Sequence, residues 1–260
     1  MADIEYTTAD GVGTITLNRP ARKNAFTMEM IDAWAGFLVD ARTNPDVRVV
    51  LLTGAGDAFC SGVDLDDFAT GDSSALARKN VLAERIHRVA YALEDLDKPV
   101  IAAVNGVAVG AGMDMALMCD LRLAATSARF SEGYIRVGLV PGDGGCFFLP
   151  RLIGSARALE LLWTGDFVGA QEALEIGMVN HVYPDAEFAG RAVNFAQRIA
   201  AAPPVNVRMI KRAVYQSART DMRTALDLIS SHMAVVQSTE DSAEALTAFR
   251  ERRDGVYHGR

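Results

Sequence analysis

Asp114 is out of keeping with its neighbours. It sits in GAGMDMALM, among Met and Ala, within the first turn of a helix entered through Gly110-Ala111-Gly112. A Gly-rich bend entering a helix exposes backbone N–H groups that the helix does not use. A carboxylate near that end is stabilised as its anion. A carboxylate so placed suits a general base or a water-orienting group. The plainer reading is that Asp114 caps its helix, a common use of Asp. Other polar side chains that could do chemistry are Ser61 beside Cys60 in AFCSGVDLDDF, Glu132 and Tyr134 in ARFSEGYIRV, and Asp143 in PGDGG. Cys60 has no His/Asp pattern to activate it. His87, with Glu84 three residues earlier, reads as a surface pair, and His181, His232 and His258 have no readable partners. There is no CxxC and no HxxxH, so no metal site is suggested. GVAVGAG lacks the GxGxxG spacing and the later acid of a dinucleotide site.

The elements that must hold these residues alternate. Residues 3–18 form two short strands around the hairpin signal Asp10-Gly11. Thr27 N-caps a helix whose apolar face is Met30, Ile31, Trp34, Phe37 and Leu38. Val47–Thr53 is a nearly continuous apolar strand, as in a sheet covered on both faces. Asp72-Ser73-Ser74 is a surface loop, followed by a helix over 76–93. The stretch KPVIAAVNGVAVGAGMDMALMCDLRLAA (98–125) gives strand, turn at Asn105-Gly106, second strand, bend, helix and strand. A strand-like run covers 128–140, helices 149–162 and 170–176, and a strand 178–182. Helices over 187–201, 205–218 and 221–250 finish the chain, with a boundary at Pro203. This order is α/β, and a strand–turn–helix unit of ~45 residues suggests a spiral rather than an open sheet.

Bulk properties narrow the function. The 260 residues are 50% apolar with mean hydropathy +0.12, enough for one large domain or one domain with an appendage. No apolar run approaches the ~18 residues of a membrane span, and the acidic N-terminus does not read as a secretory signal. Three scattered cysteines point to a reducing, cytoplasmic setting without a disulfide framework. A net charge of −7 with no basic stripe disfavours nucleic acid.

Five segments, in order over residues 14–183, resemble the enoyl-CoA hydratase/isomerase (crotonase) superfamily. They are ITLNRPARKNAF, VRVVLLTGAGDAFCSGVDL, the 98–125 stretch, ARFSEGYIRVGLVPGDGG with LPRLIG, and TGDFVGAQEALEIGMVNHV. The resemblance implies a crotonase-like spiral of β-β-α units, residues 1–202, carrying an acyl-CoA site. It implies a C-terminal α-helical region, 203–260, that packs in homotrimers, often stacked as hexamers. The substrate would be an acyl-CoA thioester, with no metal and no cofactor beyond the CoA of the substrate. Hydration of a 2-enoyl-CoA is the expected reaction. Double-bond isomerisation of enoyl- or dienoyl-CoA, or acyl-CoA binding with altered catalysis, are the alternatives.

The resemblance also assigns residues. The two backbone donors of the oxyanion site fall on Ser61 and Ala111, where relatives often have Gly in place of Ala111. Ser61, Gly62, Val63, Asp64, Leu65 and Gly110 would line the thioester and pantetheine, with Arg22 and Asn24 flanking the CoA chain. Asp114 takes the position of the first hydratase glutamate, one methylene shorter. The second glutamate, four residues after Phe130, is Tyr134, a hydrogen-bond donor and weak base with an ordinary pKa near 10. Glu132, on Tyr134's face if the segment is extended, and Asp143, one residue past the dienoyl-isomerase position at Gly142, are the alternatives for a second acid.

Overall fold

The structure is a computed structural model that describes residues 2–68 and 74–260. Of the expected loop Asp72-Ser73-Ser74, Asp72 and Ser73 lie outside the described residues.

Strands β1 (Ile4–Ala9) and β2 (Val12–Leu17) pair antiparallel across Asp10 and Gly11, with Ala9 opposite Val12. Both turn residues have positive φ, 49° and 77°. A two-residue hairpin turn that matches strand twist requires this, and Asp-Gly tolerates it. Helix α1 (Met28–Thr43) starts at Thr27, whose Oγ1 accepts the Met30 N–H at 3.3 Å. Its Met30, Ile31, Trp34 and Leu38 are buried.

The next strands come in pairs, and each pair splits between two sheets. β3 (Val49–Gly54), β5 (Val100–Val104), β7 (Leu121–Ala125) and β10 (His181–Tyr183) extend the hairpin into a six-stranded sheet of order β1-β2-β3-β5-β7-β10. β4 (Ala58–Cys60), β6 (Val107–Val109), β8 (Arg129–Ser131) and β9 (Val168–Gly169) build a second sheet of order β4-β6-β8-β9. From β2 to β10 neighbours in the first sheet are parallel, as are β4, β6 and β8 in the second. Each β-β unit therefore climbs one step along both sheets, which makes the crotonase-like spiral. The steps are unequal: β3, β5 and β7 begin at residues 49, 100 and 121, so no fixed period of ~45 residues exists.

The continuous apolar strands are explained by burial on both faces. Val50, Leu52, Ala102 and Val104 join the main core with Phe26, Trp34 and Phe59. Val49, Leu51, Ile101 and Ala103 point the other way, against Phe188, Ala192, Ala196 and Ala200 of a long later helix.

Between β4 and β5 stand α2 (Leu65–Phe68), α3 (Ala75–Asn80), a wider i→i+5 turn over Val81–Ile86, and α4 (His87–Asp95). α5 (Ala111–Leu117) follows β6. Three sequence expectations need correction. The strand-like run 128–140 is a strand only over Arg129–Ser131; Gly133–Val137 is a 3-10 turn. The helix expected over 149–162 is two, α6 (Gly145–Ile153) and α7 (Ser155–Thr164), divided at Gly154, whose φ of 80° no α-helix accommodates. After α8 (Ala170–Glu175), α9 (Asp185–Ala200) and α10 (Pro204–Ser217), the helix expected over 221–250 is also two, α11 (Met222–Gln237) and α12 (Glu240–Glu251). Thr239 caps the second by accepting the Ser242 N–H at 3.1 Å.

α10 is fastened to the core by charge. Asp97 accepts from Arg208 and Arg212, each at 2.8 Å, and Lys211 reaches Asp120 at 2.8 Å. The C-terminal helices leave Ile210, Val214, Met222, Leu226, Met233 and Phe249 exposed.

Candidate active site

Two turns meet edge to edge. Gly110 (φ 52°) bends the chain from β6 into α5, and Gly62 (φ 101°) turns it out of β4. A Cβ on Gly62 would stand 3.6 Å from the Ala111 nitrogen, and one on Gly112 would collide with the Cys60 carbonyl. Small residues are therefore a condition of the turns' approach. Ala111 is the first residue of α5, so its N–H has no acceptor inside the helix.

The donor opposite it is not the one expected. The Ser61 N–H is spent on the Lys23 carbonyl at 2.9 Å, and the Ser61 hydroxyl donates to the Arg22 carbonyl at 3.3 Å. Phe26 and Asp64 trade backbone bonds around residue 63: Phe26 N–H to Gly62 O and Asp64 N–H to Phe26 O, both 2.9 Å. Among the described residues the Val63 N–H has no acceptor, and it shares the turn with Gly62. The pair of unused donors is thus Val63 and Ala111. Sequence alone could not separate Ser61 from Val63, because the competing acceptor Lys23 comes from a distant loop.

That loop is anchored by Asn24, which is fully buried. Its Oδ1 accepts the Arg19 N–H at 2.9 Å, and its Nδ2 donates to the carbonyls of Ala55 (2.9 Å) and Ala58 (2.7 Å). With its amide so engaged, Asn24 positions the loop and does not present its side chain to a ligand, as the expectation of CoA contact had it. Arg22 stays half-exposed and binds Asp64 at 3.2 Å and Asp66 at 2.7 Å. Asp64 is buried and also held by Arg19 at 2.9 Å. The Arg19 hydrogen bond, aided by the nearby Arg22 charge, keeps its pKa below the usual carboxylate value. Leu65 is largely exposed at the end of the segment.

Asp114, on the fully buried helix α5, has no accessible surface. It does not cap its own helix; Gly110 holds that place with no side-chain cap. Asp114 Oδ2 instead accepts the Tyr134 hydroxyl at 2.7 Å. Tyr134, on the 3-10 turn, lays its ring over Gly110 and also lies 2.7 Å from Asp143 Oδ2. Glu132 would share a face with Tyr134 only in an extended segment. The chain leaves the strand at Ser131, yet Glu132 still reaches the site, fully buried. A Cβ on Gly145 would stand 2.5 Å from Asp114 Oδ1 and 2.7 Å from Glu132 Oε1, so the two carboxyls meet over that glycine. His87 does not pair with Glu84; its Nε2 donates to the Gly142 carbonyl at 2.7 Å, bracing the loop that carries Asp143.

Among the described residues no Lys or Arg neutralises this cluster. Burial pushes the pKa of Asp114 up, only partly offset by the Tyr134 hydrogen bond. Burial pushes Glu132 up as well, reinforced by the Asp114 charge, and does the same to Asp143. Tyr134 is driven far above the phenol range by burial and by the two aspartates, so it stays a hydroxyl. Among the described residues no group of three His, Cys, Asp or Glu is arranged to hold a metal ion. The arrangement suits proton transfer beside a pair of backbone donors. Its Glu132 and Asp143 come from one segment that reaches Asp114 only through the fold, and the signal for them in sequence is merely two acids near an unexpected Tyr.

Comparisons with known proteins identify the family. The family model described as enoyl-CoA hydratase/isomerase matches residues 7–260. The chain is 36% identical over 243 residues to a short-chain-enoyl-CoA hydratase of Clostridium acetobutylicum, covering 93% of this chain and 92% of that one. It is 37% identical over 251 residues to a 1,2-epoxyphenylacetyl-CoA isomerase of Escherichia coli, covering 96% of each. A crystal structure of an enoyl-CoA hydratase from Bacillus anthracis superimposes with a TM-score of 0.94 at 36% identity, covering 100% of both chains. The chain belongs to the enoyl-CoA hydratase/isomerase family of the crotonase superfamily.

Proposed function

We propose that this enzyme hydrates a 2-enoyl-CoA through an enolate, with Asp114 as general base and the Val63 and Ala111 N–H groups as oxyanion donors. The observation that carries the reading is the placement of a fully buried, cation-free carboxyl next to two turns with unspent N–H groups. When the thioester oxygen gains charge, each fixed donor is worth roughly 10²–10³ in rate. Asp114, with its pKa raised by burial, is a better base than an exposed carboxylate and still ionises near neutral pH. The acyl-CoA would run past Arg22, the backbone of 61–65 and Gly110-Ala111, with CoA supplied by the substrate and no separate cofactor.

A second reading, double-bond isomerisation of an enoyl- or dienoyl-CoA, is favoured by Tyr134 at the place of the second hydratase glutamate. Both readings use the same donors and the same base. Crotonyl-CoA, 3-enoyl-CoA and dienoyl-CoA followed by absorbance separate them. Hydration is expected to bleach the conjugated crotonyl-CoA chromophore, and isomerisation to create conjugation from 3-enoyl-CoA. A wild-type protein that turns over none of them contradicts both.

The assembly we propose is a homotrimer or a hexamer of stacked trimers. It would be built by the 203–260 region on the exposed Ile210, Val214, Met222, Leu226 and Phe249, with the site housed in 1–202. Two buried cysteines and one exposed, all free, suit a cytoplasmic enzyme. No described helix is long and apolar enough to cross a membrane.

A further inference from the structure

The contacts of Tyr134 carry a proton count. Its Oη lies 2.7 Å from Asp114 Oδ2 and 2.7 Å from Asp143 Oδ2. A phenol has one hydrogen to donate. It satisfies one carboxylate; the other contact holds at this length only if the second carboxyl brings its own proton. With both aspartates ionised, a phenol lone pair would face an anionic oxygen in a buried site, which is costly. Asp114, Tyr134 and Asp143 therefore share two protons and one negative charge.

We propose that Tyr134 is a proton relay joining Asp114 and Asp143 into one acid–base unit with two interchangeable forms. In the first form Asp114 is ionised and accepts the Tyr134 hydroxyl, while Asp143 is the acid and donates to Tyr134 Oη. In the second form Asp114 donates to Tyr134 Oη, and Tyr134 donates to an ionised Asp143. Passing between them breaks two O–H bonds and makes two, with the net charge unchanged. In turnover Asp114 takes a proton from water or from carbon, and Asp143 gives one to carbon. Asp114 is then the acid and Asp143 the anion. The two-proton shift through Tyr134 restores the starting form without recruiting a proton from bulk solvent.

The free atoms fit this use. Asp114 Oδ1 and Asp143 Oδ1 are buried without a hydrogen-bond partner, so each carboxyl gives one oxygen to Tyr134 and keeps the other unspent. Glu132, fully buried with both oxygens unpartnered, faces Asp114 across Gly145. Among the described residues the remaining titratable groups near the unit are Cys146 on α6, near Glu132 and Asp114, His87 on α4, near Asp143, and Cys60 on β4, also near Asp143. His87 is the sole group among them able to carry positive charge, and it is tied to the Gly142 carbonyl. The relay rests on the proton-transfer reading above and serves hydration and isomerisation alike. Tyr134 acts through the two aspartates and is a positioning and relay residue.

The test compares the intact wild-type protein with Tyr134→Phe, Asp143→Asn and the double variant, by infrared spectroscopy and by turnover. At pH 7 the wild type is expected to show the carbonyl stretch of a protonated carboxylic acid that Asp143→Asn lacks, and Tyr134→Phe to shift that band. On whichever enoyl-CoA the wild type uses, each single variant is expected to lose roughly 10²-fold or more in kcat. The double variant should lose no more than the worse single, because parts of one unit are not additive. Spectra in which wild type and Asp143→Asn carry the same protonated acids overturn the relay, as do losses that multiply in the double variant. Absence of wild-type turnover with the infrared band intact overturns the proposed function and leaves the proton count standing.

Discussion

Asp64 and Asp114 both have little accessible surface and behave in opposite ways. Asp64 is 5% exposed and lies between Arg19 at 2.9 Å and Arg22 at 3.2 Å; its pKa falls. Asp114 is 0% exposed and has a phenol, two carboxyls and a glycine around it; its pKa rises. Burial alone does not decide what a carboxylate does. A cation turns the first into a permanent anion that fixes the 19–24 loop against the 61–65 turn. Lack of a cation leaves the second able to gain and lose a proton within the working pH range. One region is built to hold a shape, the other to change its protonation.

Removing a backbone donor from the second region should have a large effect. Ala111→Pro keeps the start of α5, since Pro is accepted at the first helical position, but deletes its N–H. A loss of about 10²–10³ in kcat is expected, checked by steady-state kinetics beside circular dichroism of the folded variant.

Glu132→Gln sharpens the contrast through stability. The pKa of Glu132 is raised above its ordinary 4.5. As pH rises past that value, the unfolded chain releases its proton and the folded one keeps it, so wild-type stability declines. Below about 4.5 this cost is absent. The glutamine variant is expected to match wild type near pH 4. It should gain progressively on wild type as pH rises above that, read from denaturant melts at several pH values.

Asp64→Asn tests the first region. It leaves Arg19 only the more exposed and more distant Asp3, at 3.4 Å, and a loss of about 1.5–3 kcal/mol is expected from charged hydrogen bonds. That loss should shrink at low pH, where wild-type Asp64 is itself protonated: a depressed pKa stabilises above the unfolded value and is lost as pH falls. The smallest effect belongs to an exposed pair. Glu187→Gln, which breaks the Arg191 contact at 2.9 Å on the surface of α9, should cost about 0.3–0.5 kcal/mol, resolved by the same melts.

How much of this was legible in the sequence follows from the range of the forces involved. The Asp10-Gly11 hairpin, the Thr27 cap and the Gly110–Asp114 entry into α5 are local, and local residue types dictate them. The 98–125 stretch reads correctly because apolar runs and glycines alternate within a few residues. The segment 132–137 does not, since Gly133 permits a 3-10 turn that apolar content alone mimics as a strand. The break at Ser238-Thr239 is a cap, hidden inside a long helical pattern. The free N–H of Val63, rather than Ser61, depends on Lys23 and Phe26 in another loop. The meeting of Asp114, Glu132, Tyr134 and Asp143 depends on stacking β6 and β8 side by side, which no single stretch of sequence displays.

The central claim is that Asp114 is the proton-transferring carboxylate, and one measurement addresses it directly. Turnover of the enoyl-CoA that the wild type uses is compared with that of Asp114→Asn, which keeps the shape and can still accept the Tyr134 hydroxyl. A fall of roughly 10²–10⁴ in kcat with KM little changed is the expected result. Full activity of Asp114→Asn would contradict the account.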